Sequence, residues 1–353
     1  MVSSTKISAQ KIWIHPDDRM IIEYAFEDLC ESGEFAYGKN VKKFEERFAK
    51  YVGRKYAVAV GAGGHALEIA CRALKLNLVI VPTNTFFASA IAIEHAHGIP
   101  LLCDVDDELN ATVYTIAERY REVSHIGVSP DGLMMVYIGG NMPIDMDLIQ
   151  EYCEEHNMNL VVDAAHCVGT TDSAKYGQIC CYSFYPTKVM TTCNEGGMLV
   201  TDDRNIYEFA KSYRDYGRSP TNPQKHLQAG QNYRMSELDA IIGLTQLRRM
   251  PEYLRTRRRV AKIYSEKFQI LGDLQCSNFY KVITFDQLQI PTNIHMAGKV
   301  YEIPLHKQPY YKHLNLSFPK ADKYCAAHSC LPIWNTQTDE EAQYVVDNIK
   351  VVE

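Results

Sequence analysis

The stretch "KYAVAVGAGGHALEIACRALKL", from Lys55 to Leu76, changes its period part-way. "KYAVAV" is short, apolar and valine-rich, which is the pattern of a strand. After it, Ala66, Ile69, Ala70, Ala73 and Leu74 fall on one face of a helix. Gly61, Gly63 and Gly64 form the turn between the two. Strand, glycine turn and helix are the building unit of an α/β sheet. Such a turn exposes backbone N–H groups at the positive end of a helix dipole, which suits a phosphate. It is not a P-loop, since no Gly-Lys-Ser/Thr ends it. It is not the dinucleotide fingerprint, since GxGxxG is absent. An ordinary tight turn is the competing reading.

Outward from this unit, the pattern repeats. "LVIV" (78–81), "PLLCDV" (100–105), "LMMVYI" (133–138), "LVVDA" (160–164) and "GMLVTD" (197–202) are continuous apolar runs. They alternate with segments such as "MDLIQEYCEEHN" (146–157). Runs of this kind suit strands covered on both faces, and the alternation predicts a mostly parallel sheet. Near Ser236 the pattern changes. "SELDAIIGLTQLRRM" starts with Ser236 and Asp239 in capping positions, and a second long helix is expected over 253–271. A shorter α+β segment follows, with "FYKVITF" and a last helix capped at Thr338 with Glu341. The expected organisation is a large domain with an N-terminal arm over 1–250 and a small domain over 251–353.

The chain has 353 residues and a net charge of −6, which argues against a general nucleic-acid or membrane-surface binder. The densest basic run, "RTRRR" at Arg255 to Arg259, reads as a solvated helix face. No apolar stretch approaches the ~20 residues that span a bilayer. The N-terminal residues show no signal-peptide core, so a cytoplasmic location is expected. Eleven cysteines lie scattered without CxxC spacing and read as reduced, half-buried thiols. "EHAH" at Glu94 to His97 reads as a helix end, and no metal is expected.

Two further stretches carry chemistry. In "LVVDAAH", Asp163 ends a buried strand, where an acid is costly unless paired. Strand ends of an open α/β sheet are also where ligands sit. A capping aspartate is the alternative, and His166 could be a core histidine. In "SFYPTKVM", Lys188 lies among aromatic and β-branched neighbours. In an apolar surrounding its amine loses hydration, becomes neutral more readily and can attack an aldehyde. A surface lysine at a strand end is the alternative. Together, a phosphate turn, a strand-end acid and a later lysine are the three contacts that pyridoxal phosphate needs. "NTFFASA" offers Phe86 as a ring to stack on it.

These pieces resemble the DegT/StrS-type sugar aminotransferases. The match runs through "YGKNVKKFEERFAKYVG", "VPTNTFFASA", "VVDAAHCVGTT", "SFYPTKVMTTCNEGGMLVTDD", "GQNYRMSELDAIIGLTQL" and "PLHKQPYY", in that order. The resemblance implies an aspartate-aminotransferase-like pyridoxal-phosphate fold of type I. It implies that Lys188 bonds to the cofactor and that Asp163 pairs with its ring nitrogen. His166 would contact the ring oxygen side, and Phe86 would stack on the ring. Gly63, Gly64 and Ser183 would hold the phosphate. Asn232 would reach the phosphate of a neighbouring subunit, giving a homodimer with shared sites.

The implied substrates are a nucleotide-linked keto sugar and glutamate. Tyr37, Lys39, His306 and Tyr310 are expected near the substrate. Three departures accompany the match: Gly64 stands where the family often has a hydroxyl residue, the connection before 78–81 is short, and 271–303 is trimmed. A sugar dehydratase on the same fold is the nearest alternative, although those relatives usually carry histidine at the lysine position. A non-catalytic, ligand-sensing member is the other.

Overall fold

The structure, a computed structural model, describes residues 6–36 and 38–352. Helices α1 (Pro16–Ser32) and α2 (Lys39–Val52) lead into β1 (Tyr56–Val60) and α3 (Gly63–Ala73). Then come β2 (Leu78–Pro82), α4 (Phe87–His95), β3 (Ile99–Cys103), α5 (Val113–Ser124), β4 (Gly132–Val136), α6 (Met146–Glu155) and β5 (Asn159–Asp163). Strands β6 (Ile179–Ser183) and β7 (Gly197–Thr201) and helix α7 (Arg204–Tyr213) complete the large unit. Helix α8 (Glu237–Ser265) leads away from it. The chain ends with β8 (Val282–Thr284), β9 (Leu288–Gln289), α9 (Pro319–Ala327), β10 (Ser329–Leu331), α10 (Asp339–Asn348) and β11 (Lys350–Val351).

The main sheet has the order β1-β7-β6-β5-β4-β2-β3. Only β7 runs antiparallel to its neighbours, so the expected mostly parallel sheet is found. Side chains alternate across it, as the pleat requires. Leu133, Met135 and Tyr137 enter one core, with Phe44, Phe48 and Phe184. Met134, Val136 and Ile138 enter the other, with Leu67, Ile69 and Ile93. Both faces are covered, which is why these strands read as continuous apolar runs.

One glycine sets the geometry at the sheet edge. Gly197 pairs with Val60 on one side and with Ser183 on the other. A Cβ there would stand 2.4 Å from the Ala62 carbonyl oxygen. Without a side chain at Gly197, the turn after β1 can cross the end of β7 and approach Ser183. Two elements that are not sheet neighbours thereby meet.

Helix α8 corrects two expectations. It is one helix of 29 residues through Pro251, rather than two with a break. The expected domain boundary near 250 therefore lies inside a single element. Proline in a helix interior loses one backbone hydrogen bond at a cost of about 3 kcal/mol. Buried Met250, Tyr253 and Arg257 on either side of it hold the helix in place. The C-terminal part of α8 builds a further core, with Val260, Tyr264 and Phe268 against Trp334 and Val345. Leu305, Phe318 and Cys325 instead join the core of the large sheet. The last hundred residues thus divide among the cores, with Tyr280 on the other face of the large sheet. The final capping box is formed, with Thr338 and Glu341 each bonding the other's backbone.

Candidate active site

A cavity of about 690 Å³ opens at the carboxyl ends of β1, β5 and β6. Gly63, Gly64 and Ser183 line one wall, and Asp163, His166 and Lys188 line another. Phe86 lies at its rim, 61% exposed, 6.1 Å from the Tyr301 ring. The chain thus brings together seven of the expected residues from four separate segments.

The first wall is an anion cradle. Helix α3 starts at Gly63, and its N-cap Ala62 offers no side-chain cap to the first-turn amides. Those N–H groups and the helix dipole favour a negative ligand. A Cβ on Gly63 would stand 2.9 Å from the Ser183 Cβ, so this position must stay small. Ser183 Oγ accepts from the Tyr185 N–H at 3.3 Å, which leaves its own proton to donate. At Gly64 a Cβ would meet only ordinary contact, with Ala88 at 3.8 Å.

The second wall holds buried charge. Asp163 Oδ2 accepts from the Ser89 hydroxyl at 2.7 Å, and Oδ1 accepts from the Ala165 N–H at 3.0 Å. Thr85 in turn meets Ser89 at 2.6 Å. Burial pushes the Asp163 pKa up, against the pull of Ser89, Ala165 and Lys188. Burial lowers Lys188 to about 8, against the pull of Asp163. The lysine ammonium stands 4.9 Å from the Tyr280 ring centroid. Each group is driven towards neutrality because no nearby charge fully offsets its lost hydration. Opposed, perturbed acid and base in one cleft are the mark of a functional site.

His166 has both ring nitrogens engaged. Nδ1 accepts from the Gly139 N–H at 3.3 Å, and Nε2 lies 2.9 Å from the Tyr301 hydroxyl. Its ring stacks on Tyr280 at 4.3 Å. Burial first, then the charges of Lys188 and Lys281, hold it well below the ordinary histidine range. It is a neutral imidazole with the proton on Nε2.

Asn232 is exposed and does not line its own chain's cavity. The next residue, Tyr233, accepts from the Gly61 N–H at 2.8 Å, so the segment lies against the strand that enters the turn. Three expected substrate residues lie away from the cavity. Lys39 is exposed and pairs with Asp28 at 2.7 Å. His306 is buried, bonded to Thr83 at 2.8 Å and to Asp322 at 3.0 Å. Tyr310 is exposed and donates to Glu94 at 2.7 Å. Their polar atoms are engaged in packing the C-terminal segment or a helix end. Tyr37 lies outside the described residues.

Among the described residues no group of three metal-ligating side chains occurs. Most cysteines are fully buried, Cys71, Cys167 and Cys181 among them, rather than half-buried.

The sequence reading missed Ser89, Tyr280, Lys281 and Tyr301. Ser89 sits one turn after Phe86, a spacing that puts both near the start of α4. Tyr280 and Lys281 were hidden in the strand-like "FYKVITF". Tyr301, in an irregular segment, carries no local signal.

A model of the DegT/DnrJ/EryC1/StrS aminotransferase family matches residues 17–350. The chain belongs to this family. It is 28% identical over 348 residues to GDP-perosamine synthase of Escherichia coli O157:H7, covering 93% of this chain and 94% of that one. It is 33% identical over 258 residues to GDP-perosamine synthase of Caulobacter vibrioides, covering 71% and 68%. The crystal structure of NtdA from Bacillus subtilis, with PMP bound, superposes with a TM-score of 0.82 at 22% identity, covering 95% and 81%.

The fold is type I of the pyridoxal-phosphate-dependent aminotransferases, and pyridoxal 5′-phosphate is the family's cofactor. This family member's cavity fits that group in three respects. The uncapped α3 amides and Ser183 suit a phosphate. The buried, doubly held Asp163 suits a protonated ring nitrogen. The enclosed Lys188 suits an aldehyde.

Proposed function

We propose that this protein is a pyridoxal-phosphate aminotransferase that converts a nucleotide-linked keto sugar to the amino sugar, with glutamate as amino donor. The observation that carries the reading is the meeting of half-buried Lys188 and buried Asp163 in one cavity beside the α3 cradle. The GDP-perosamine synthases, similar over most of the chain, support the nucleotide-sugar part.

Lys188, Asp163, His166, Phe86, Ser183, Gly63 and Gly64 would hold the cofactor. When bound, it supplies an aldehyde and an electron sink. Lys188 would hold the cofactor through its amine and, once free, would move a proton at the substrate carbon as general base and acid. Its lowered pKa keeps a share of the amine neutral near pH 8 for that task. Asp163 would pair with the ring nitrogen and favour its protonated form. Ser89 and the Ala165 N–H aim its carboxylate and favour the ionised form against the effect of burial. His166, fixed between Gly139 and Tyr301, would face the ring as a neutral imidazole.

The active unit in this reading is a homodimer. The exposure of Asn232 outside its own chain's cavity supports a role for it at a partner's phosphate. A cytoplasmic location belongs to the same reading. Buried, unpaired thiols support it. Among the described residues no helix is long and apolar enough to cross a membrane.

The test is a two-stage assay on the holoprotein. L-glutamate should first convert it to the pyridoxamine form, seen as loss of its visible band. Nucleotide-linked 3- and 4-keto-6-deoxysugars should then restore the band, while pyruvate, oxaloacetate and a ketocyclitol should not. Restoration by the keto acids alone would remove the protein from sugar metabolism. Lys188→Ala should lose at least ~10⁴-fold in turnover, since nucleophile and proton carrier go together.

A further inference from the structure

An amino acid donor brings an α-carboxylate one bond from the reacting carbon. Among the described residues no arginine lines the cavity. Within the chain's own lining, one wall supplies two donors for the anion.

Lys281 and Lys299 both line the cavity. Lys299 is committed to Glu302 at 2.9 Å and to the Ala326 carbonyl. Lys281 donates to the Ala297 carbonyl at 2.8 Å, and no carboxylate pairs with it among the described residues. Its ammonium lies 5.4 Å from the Tyr280 ring centroid, while that of Lys188 lies 4.9 Å from the same ring. A lysine with no carboxylate partner among the described residues therefore shares the Tyr280 ring and the cavity with the reactive lysine.

The second donor follows from proton counting. The Gly139 N–H donates to His166 Nδ1, so that nitrogen carries no proton and Nε2 does. Nε2 must then donate to the Tyr301 oxygen. The Tyr301 proton is left to point elsewhere, and Tyr301 lines the cavity. Gly139 joins the two donors. Its carbonyl accepts from the Lys281 N–H at 2.9 Å while its N–H fixes His166. It has φ +69°, and a Cβ there would stand 2.5 Å from Ile283 Cδ1, so only glycine serves.

We infer that Lys281 and Tyr301 form the carboxylate subsite for the amino donor. An ammonium and a donating hydroxyl match the two oxygens of a carboxylate, and both bonds are charge-assisted. The position beside Lys188 favours a group one bond from the reacting carbon. A sugar diphosphate, several bonds away, fits it less well.

This inference rests on the proposed glutamate-dependent reaction, and two readouts separate them. The first is calorimetry of glutarate, an unreactive dicarboxylate, on the holoprotein. Lys281→Met should weaken its binding at least tenfold, and Tyr301→Phe about threefold. Equal binding to wild type and Lys281→Met, or none to wild type, overturns the subsite. The second is the two half-reactions measured separately. Lys281→Met should raise the half-saturating L-glutamate concentration at least tenfold, and it should erase the preference for L-glutamate over its α-amide. The nucleotide-sugar half-reaction should saturate as in wild type. Loss confined to the sugar half-reaction would assign Lys281 to the diphosphate and overturn the inference. A wild type that glutamate leaves unchanged, but that binds glutarate through Lys281, would refute the donor and not the subsite.

Discussion

His166 and His306 are both buried histidines with both nitrogens bonded, yet they belong to different regions. His166 follows the end of a central strand. It faces a cavity with Lys188 and Lys281 nearby and no carboxylate on either nitrogen. His306 lies in the segment that packs onto the large sheet. Asp322 bonds its Nε2, and Thr83 after β2 bonds its Nδ1. Burial lowers both pKa values, but at His306 the Asp322 carboxylate pulls back up. The strand-end region keeps charge poorly compensated for a ligand to complete. The packing region satisfies its charge internally. Burial and full bonding alone do not identify a site; the sign of the surrounding charge does.

After the loss of Lys188, the largest expected effect lies at the acid of the first region. Asp163→Asn should cut turnover by ~10²–10³-fold, the scale of a lost electrostatic contact in a dry site, with the fold retained by circular dichroism. An unchanged rate would reduce Asp163 to a strand-end cap and erase the contrast.

Stability of the cofactor-free protein sharpens the contrast further. The unfolded chain holds the Lys188 proton with a pKa of 10.5 and the folded protein with about 8. The unfolded state therefore binds more protons between those values, and folding is penalised fully below about pH 8. Lys188→Met should stabilise the apoprotein at pH 7 by roughly 3 kcal/mol, at ~1.4 kcal/mol per pKa unit. The gain should fade as pH rises from about 8 to 10.5. Urea unfolding at pH 7 and pH 10 measures this. A pH-independent gain would show that Lys188 is hydrated.

The packing region should respond the other way. His306→Leu should cost ~1–3 kcal/mol of stability by removing the ring bonds to buried Thr83 and to Asp322, with only the residue 306 backbone N–H left on Thr83, while half-saturation by both substrates stays unchanged. A substrate-specific loss would return His306 to the site.

The smallest effect is expected at Ser89. Ser89→Ala removes one of two hydrogen bonds on Asp163, worth ~1 kcal/mol, so turnover should fall about fivefold. A drop equal to that of Asp163→Asn would mean that Ser89 alone keeps the carboxylate ionised.

Much of this was legible in the chain because it depends on near neighbours. The period change after Val60, the apolar runs and the strand-end position of Asp163 are local patterns, fixed by the pleat and the helix repeat. Lys188 stood out because its neighbours are apolar. What the sequence alone determined, then, was the sheet class, the cradle and the acid–lysine pair.

The tertiary structure decided which distant groups meet them. Gly197 lets the α3 turn reach Ser183 across an intervening strand. Gly139 aligns His166 with Lys281. The C-terminal segment turns Tyr301 to the cavity and His306 into packing. α8 runs unbroken through Pro251 because side chains far along the chain bury its flanks. Each of these depends on contacts between residues far apart in sequence. No local period encodes such contacts, because packing selects among several locally acceptable conformations only when the partner surfaces are present.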